Sequence, residues 1–417
     1  MIIHRDLYLQ RLVHRRHNGM IKVITGVRRC GKSFLLFELF YKFLLEQGVR
    51  EDHIVKVALD DRMNRRLRNP DALCEHVYGR IKDHEMYYIL LDEVQLVDEF
   101  EDVLNSFLHI GHVDVYVTGS NARFLSKDVI TEFRGRGDEV RMFPLSFREF
   151  MSVYDKSVQR GLDEYMIYGG LPQVLSLTTE EQKVSYLKNL FAETYITDIK
   201  ERYHIRHDDE LEDLLNIVSS GIGSLTNPHK LVNTFLRVKG AKIDQATVKS
   251  YLDYLCDSFL IERALRYDVK GRRYIDTPQK YYFVDMGLRN VRLNFRQDER
   301  AHIMENVVFN ELLIRGFNVD VGVVPLTYTD EGGSRRKALL EIDFVCNLGS
   351  RRYYVQSAYH IDSDEKRIQE QASLRKVGDS FKKIVVVGDD VAIRRNEEGI
   401  TTMSIFDFLL NETSLEM

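Results

Sequence analysis

Cysteine and proline are scarce in this sequence, and long apolar runs are missing. The four cysteines, Cys30, Cys74, Cys256 and Cys346, stand far apart, with no C-x-x-C pair and no zinc spacing. That removes a disulfide scaffold and a cysteine-based metal knuckle, and it fits a reduced, cytoplasmic setting. No H-E-x-x-H or other metal-ligand cluster occurs, and no N-K-x-D guanine-reading motif. Six prolines in 417 residues leave few natural linkers, and there is no internal repeat or low-complexity tract. No apolar run reaches the ~18 residues that a membrane-spanning helix needs. The charged start, MIIHRDLYLQRLVHRRH, lacks the apolar core of a signal peptide, so no membrane partner is expected. A net charge of −5 argues against a dominant nucleic-acid footprint. It leaves room for a local basic face near the start, where Arg5, Arg11, Arg15, Arg16, Lys22, Arg28, Arg29 and Lys32 stand against one acid, Asp6. Such a face is either solvated or a DNA contact.

What is present is concentrated in one run. GVRRCGKS, Gly26 to Ser33, fits the phosphate-binding (Walker A) pattern G-x-x-x-x-G-K-[ST] at every defined position. A short apolar strand, Ile21–Thr25, precedes it, and the apolar residues Phe34 to Phe40 suit a helix behind it. In that context the amides of Gly26, Val27, Arg28, Arg29, Cys30 and Gly31 form a cradle for phosphate oxygens, with Ser33 and Phe34 opening the helix. Lys32 is expected to reach the β- and γ-phosphates and the Ser33 hydroxyl to sit on Mg²⁺. Arg28 and Arg29 are left as phosphate contacts, partner contacts or solvated charge. An alkylated Cys30 is expected to obstruct the cradle.

A second apolar strand, Tyr87–Leu91, ends in Asp92-Glu93 (Walker B). Ligands of open α/β sheets bind at that edge. Asp92 is placed to hold Mg²⁺ and Glu93 to polarise a water. A third strand, Val113–Val117, ends in Thr118-Gly119-Ser120-Asn121. Thr118, Ser120 and Asn121 all qualify as reporters of the γ-phosphate, and the sequence does not choose among them. Arg134-Gly135-Arg136 precedes a further expected strand, Val140–Phe143, and Arg136 is a candidate for stabilising phosphoryl charge in cis or from a neighbouring subunit. Alternation of strands and helices from about residue 20 to 145 predicts a parallel sheet covered on both faces.

Further along, Phe147 to about Leu215 reads as helical. Helices are expected at Leu211 to Ile222, at Pro228 to Val238 and from Asp244 through Phe259, then a strand pair, Leu260 to Tyr267 and Lys280 to Val284. That order matches a winged helix, in which Lys239, Lys242, Lys249, Lys270, Arg272 and Arg273 are candidate phosphate contacts; packing within the protein is the other reading. The last third alternates again: a helix from Glu305 to Ile314, strands at Val319–Val324, Leu339–Cys346 and Tyr353–Ser357, a helix at Arg367 to Val377 and a strand at Ile384 to Val387. The set Glu305, Asp343 and Gln356 resembles a PD-(D/E)xK nuclease skeleton, but Gln356 is a poor magnesium ligand and Ala358 stands where the lysine belongs. Glu341 shares a strand face with Asp343. A nuclease-like fold with a dismantled site is expected.

GVRRCGKS, YYILLDEVQ, TGSNARFLS and PLSFREF follow one another as in the prokaryotic predicted ATPases of the AAA+ superfamily. YGGLPQV, KYYFVDMGLRN, MENVVFNEL and EIDFV resemble that family's second half. The resemblance implies an α/β fold: a P-loop AAA+-type ATPase domain at 1–150, a helical lid at 151–210, a winged-helix module at 211–290 and a restriction-endonuclease-like domain at 291–417. It implies an ATPase with ATP and Mg²⁺ as cofactors. DNA or protein remains open as partner, and so does oligomerisation. The rival functions are an ATP-regulated DNA-processing nuclease and a nucleotide-gated interaction module.

Overall fold

The computed structural model describes residues 2–119, 133, 135–205, 208–240, 243–296, 299–329 and 334–417. Ser120, Asn121, Arg134 and Lys242 lie outside them. The chain divides into two units, residues 1–144 and 145–417.

The first unit is built on five parallel strands, β1 (Ile21–Thr25), β2 (Ile54–Ala58), β3 (Tyr87–Asp92), β4 (Val113–Thr118) and β5 (Gly137–Arg141), in the order β2-β3-β4-β1-β5. Every residue of β1 and β3 is buried, as two-sided coverage by helices requires. One face carries Ile21, Val23, Ile89, Leu91, Val115 and Val117 against Leu73, Val77, Phe100 and Phe107 of two helices. The helix Pro70–Arg80 starts where its sequence says it should: Asn69 caps the Ala72 amide, and Pro70 needs no amide partner at the first turn. β4 lies between β1 and β3, so the end of β4 stands between the phosphate loop and the Asp92-Glu93 pair.

Two expectations for this unit change. β5 covers Gly137–Arg141 rather than Val140–Phe143. Beyond Arg141 the chain leaves the ladder, because the carbonyls of Phe143 and Pro144 turn to the Arg5 guanidinium at 2.7 and 3.4 Å. The expected N-terminal basic face also shrinks. Arg5, Lys22 and Lys32 are buried, and Arg15 pairs with Asp138 at 2.8 Å. Lys22 points into the sheet, where it forms an ion pair with Asp114 and donates to the Met20 carbonyl at 2.8 Å. Burial lowers its pKa against the opposing pull of Asp114.

The second unit carries an eight-stranded mixed sheet. Its strands are β6 (Ile261–Asp268), β7 (Arg273–Phe283), β8 (Asn318–Thr329), β9 (Arg335–Leu348), β10 (Arg351–Ala358), β11 (Lys382–Val387), β12 (Arg394–Arg395) and β13 (Ile400–Ser404), in the order β12-β13-β11-β10-β9-β8-β6-β7. Three helices, Asp208–Ser220, Pro228–Lys239 and Gln245–Asp257, precede the β6–β7 hairpin in the expected order. The hairpin is the edge of the larger sheet, with β6 parallel to β8 through Arg266↔Val321. The expected division at residue 290 therefore falls between strands of one sheet. The helical stretch after residue 144 also belongs to this unit.

Three of the stretches that carry the family resemblance, YGGLPQV, KYYFVDMGLRN and MENVVFNEL, meet along one seam. Asp285 accepts hydrogen bonds from Gly170 N at 2.7 Å and Leu288 N at 3.1 Å. The Asn290 amide donates to the carbonyls of Met166 and Ile167, both at 2.9 Å. Asn306 exchanges bonds of 2.8 and 2.7 Å with the Phe283 backbone, and Asn310 donates to Phe283 and Val284. Buried polar backbone must be paired, and these side chains pair it where strand β7 ends. Burial raises the Asp285 carboxyl to about 6, against three backbone donors that lower it. The folded state thus holds that proton more tightly than the unfolded chain does, with its ordinary value of ~3.9. Stability should fall by about 2–3 kcal/mol between about pH 4 and pH 6 and stay level above. Asp285→Asn should remove that slope in urea unfolding while lowering stability throughout, since one acceptor oxygen is lost. An unchanged slope would refute the assignment.

Among the described residues no helix is long and apolar enough to cross a membrane.

Candidate functional site

The loop after β1 turns on two glycines. Gly26 has φ +131, and a Cβ there would run into the Met142 carbonyl oxygen. Gly31 has φ +102 and caps the helix that begins at Lys32. Both conformations are accessible to glycine and strained for other residues. Arg29 also takes a left-handed conformation, φ 64. Residues 32–46 then wind on as helix, π-helical over Leu35–Phe40, a local widening often found beside functional sites. Val27 and Cys30 are buried, Arg28 is half-buried, and Arg29, Ser33 and Phe34 are exposed. Cys30 is fully buried, with Sγ 3.7 Å from the Met142 carbonyl, so alkylation requires the loop to open first.

Lys32 is buried inside the loop. Its Nζ donates to the carbonyls of Gly26 at 2.8 Å and Val27 at 3.1 Å. Arg5 supports the loop from beneath, donating to the Cys30 carbonyl at 2.9 Å and lying over the Tyr8 ring at 4.7 Å. Arg5 is thus not part of the expected N-terminal basic face. Its partners lie 25 and 138 residues away, a separation that no local pattern reveals.

Across the sheet edge, the Asp92 carboxylate accepts hydrogen bonds from the Ser33 and Thr118 hydroxyls. Burial raises its pKa, those two bonds lower it, and Glu93 and Asp60 raise it again, for a net rise. A buried carboxylate crowded by other acids gains from a divalent cation, and hydroxyl and carboxylate oxygens suit Mg²⁺. The residues present therefore fit that ion. Thr118 also accepts the Glu93 amide at 3.0 Å, so a single hydroxyl ties both acids to the end of β4. Glu93 holds a left-handed backbone, φ 53 and ψ 47, and its carboxylate accepts from the Gln95 amide. A non-glycine residue held this way is strain of the kind that functional sites retain.

The structure thus gathers Gly26, Val27, Cys30, Gly31, Lys32, Ser33, Asp92, Glu93 and Thr118 at one edge. Arg136 is not gathered. Gly137 pairs with Ile21 and Arg141 with Thr25, so Arg136 stands at the opposite end of the sheet from the loop, exposed. A role in cis is excluded by strand direction. Ser120 and Asn121 lie outside the described residues.

The nuclease-like acids of the second unit meet around Lys280, which no sequence motif singles out. Lys280 Nζ is 2.9 Å from Glu305 and 2.9 Å from Glu341. The Tyr282 hydroxyl donates to Glu305 at 2.6 Å, and Asp343 accepts the Ser357 amide at 2.8 Å. Gln356 accepts the Asp343 amide at 3.3 Å, and Ala358 is buried in the apolar core. Burial pushes the Lys280 ammonium down, but Glu305, Asp343 and Glu341 outweigh it and hold it charged. The centre is filled by a protein cation. Among the described residues, the one trio of His, Cys, Asp or Glu whose ligand atoms lie within 4.8 Å of one another is His53, Asp83 and Glu85. There too a cation is in place, with Arg50 2.8 Å from Asp83 and 3.6 Å from Glu85.

Residues 18–151 match the family model described as an AAA domain, and residues 159–299 match a domain of unknown function. An uncharacterised protein of Haemophilus influenzae is 31% identical over 415 residues, 98% of this chain and 99% of the relative. An uncharacterised protein of Methanocaldococcus jannaschii is 26% identical over 422 residues, 97% of this chain and 88% of that protein. Among solved structures, the Walker-type ATPase of Pyrococcus abyssi is similar over 70% of this chain and 96% of its own, at 16% identity and a TM-score of 0.49.

Proposed function

This chain belongs to the prokaryotic AAA-type family of its Haemophilus influenzae relative, and on that premise we propose that it binds Mg·ATP and hydrolyses it at the edge formed by Gly26–Ser33, Asp92, Glu93 and Thr118. The observation that carries the reading is the hydrogen bond between Ser33 and Asp92, which joins the loop to the acid pair. The amides from Gly26 to Ser33 bind the phosphates, and Lys32 exchanges its carbonyl partners for β- and γ-phosphate oxygens. Ser33 and Asp92 hold Mg²⁺, which supplies charge neutralisation on the phosphates when bound. Glu93 accepts the proton of the attacking water. Thr118 keeps Asp92 and Glu93 in register, and Arg136 can act only on a neighbouring copy.

Residues 145–417 act in this reading as an interaction half for DNA or protein, whose state follows the nucleotide. The winged-helix order of helices and hairpin supports it. A nuclease role is disfavoured, because Lys280 already balances Glu305 and Glu341.

The purified protein should bind ATP in calorimetry and release phosphate only with Mg²⁺; absence of nucleotide binding ends the reading. Thr118→Val should leave ATP affinity intact and lower turnover about 10–100-fold, the usual cost of losing a group that orients a metal ligand. Thr118→Ser should restore most of the rate. Equal loss in both variants would assign Thr118 a packing role instead.

A further inference from the structure

Two hollows of the second unit meet at one exposed ring. The larger, about 770 Å³, lies between the β6–β7 turn, the β9–β10 turn and the segment from Lys376 to Phe381. The smaller, about 500 Å³, continues past Asp379 and Phe381 toward Lys382 and Arg395. Together they are lined by eight cationic side chains and three carboxylates. Two of the carboxylates have partners outside the lining, and the third, Glu416, offsets one lining cation, Arg351. Asp379 accepts the Tyr354 hydroxyl at 2.6 Å and the Phe381 amide at 3.2 Å. Glu398 pairs with Arg375 at 2.7 Å, and Glu416 with Arg351 at 3.2 Å.

The cations are held ready. Arg352 lies between two rings, 5.5 Å from Tyr267 and 5.4 Å from Phe381, with Nε on Asn347 at 2.7 Å. A guanidinium stacked in that way, and hydrogen-bonded to the Tyr354 and Tyr267 hydroxyls, is fixed in plane and presents the donors those partners leave at low entropic cost. Arg272 and Lys376 are exposed on the walls, and Lys270 reaches the Pro325 carbonyl at 3.2 Å. Phe381 is 41% exposed at the junction of the two hollows. An exposed aromatic face in a basic track is the arrangement that binds unpaired bases and their backbone. A small anion would use one hollow; a track running through both fits a chain. An acidic peptide has the charge but no flat base to lay on Phe381.

We propose that this trough binds single-stranded nucleic acid, with phosphates on Arg272, Arg352 and Lys376 and a base on Phe381. The proposal rests on the reading of residues 145–417 as the interaction half and does not depend on ATP chemistry. It is distinct from the expected N-terminal face and from the three helices before the hairpin.

The test is fluorescence anisotropy of the full chain with labelled oligo-dT and oligo-rU of about 20 nucleotides, at several salt concentrations and without ATP. The double variant Arg272→Glu, Lys376→Glu should weaken binding at least about tenfold and flatten the salt dependence. Phe381→Ala should weaken it by roughly 5- to 100-fold, the loss of one base–ring stack. Both variants should keep the wild-type ATP turnover and melting temperature. Polyglutamate and inorganic polyphosphate should compete poorly on a per-charge basis. The proposal is overturned if the wild type fails to bind at low salt or if the double variant binds within about twofold of it. It is equally overturned if polyglutamate competes as well as oligonucleotide, which would assign the trough to an acidic protein, or if duplex binds as tightly and Phe381→Ala is neutral. Absence of ATP turnover in the wild type with oligonucleotide binding intact would instead defeat the ATPase reading alone.

Discussion

Lys32→Ala is expected to abolish ATP turnover, and Glu93→Gln to leave a protein that binds ATP but turns it over about 10²–10⁴-fold more slowly. The two substitutions separate because the side chains do different work. Lys32 is the buried cation of the phosphate loop, held by the carbonyls of Gly26 and Val27. Alanine leaves those carbonyls facing incoming phosphate without a positive charge between them, so both affinity and rate fall. One preorganised donor at a developing negative charge is worth roughly 10²–10³ in rate. Glu93→Gln is nearly isosteric. Its amide oxygen can still accept from Gln95, and its backbone amide still reaches Thr118. What it loses is the capacity to take a proton. Steady-state phosphate release and nucleotide calorimetry on wild type and both variants decide the matter. Equal turnover in all three would remove the assignment of this edge as the catalytic centre.

The gathering of the loop and the acid pair at one edge was legible because its residues stand at short spacings. Gly26, Gly31, Lys32 and Ser33 sit within one loop, and Asp92 and Glu93 end one apolar strand. Local pattern also located most of the strands and the helical stretch after Phe147, whose first helix opens on a capping box made by Ser146 and Glu149. What was not legible depends on distant partners. Arg5 and Lys22 read as surface charge until the fold brings Cys30, Phe143 and Asp114 to them. The placement of Arg136 depends on strand direction, since the same residue at the other end of β5 would have been near the loop. A hairpin reads alike whether it is a free wing or the edge of a larger sheet, so the β6–β8 pairing could not be anticipated.

Lys280→Met should destabilise the second unit by about 3–5 kcal/mol, because it leaves buried carboxylates without their cation. Lys280 is 3% exposed, Asp343 7%, and Glu305 is held by the Tyr282 hydroxyl. Glu341 is more open to water, so its share of the loss is smaller. The pH dependence distinguishes this account from a simple packing defect. The Lys280 pKa is raised in the fold, so its contribution is fully present below the ordinary lysine value of ~10.4 and is lost only as pH rises through the higher folded value. Wild-type stability should therefore show no loss from Lys280 across neutral pH. Burial, and then the charge of Glu305, push the Asp343 carboxyl well above its usual range. Without the ammonium, protons are what can relieve the cluster, so the deficit of Lys280→Met should shrink on acidification toward about pH 5. Adding Glu305→Gln to Lys280→Met should recover about 1–3 kcal/mol, a coupling expected of groups in direct contact. Urea unfolding of the single and double variants at two pH values measures all three quantities. A Lys280→Met variant within about 1 kcal/mol of wild type at neutral pH would show that Glu305 and Asp343 are relieved by water, and that the ammonium is not what holds the centre together.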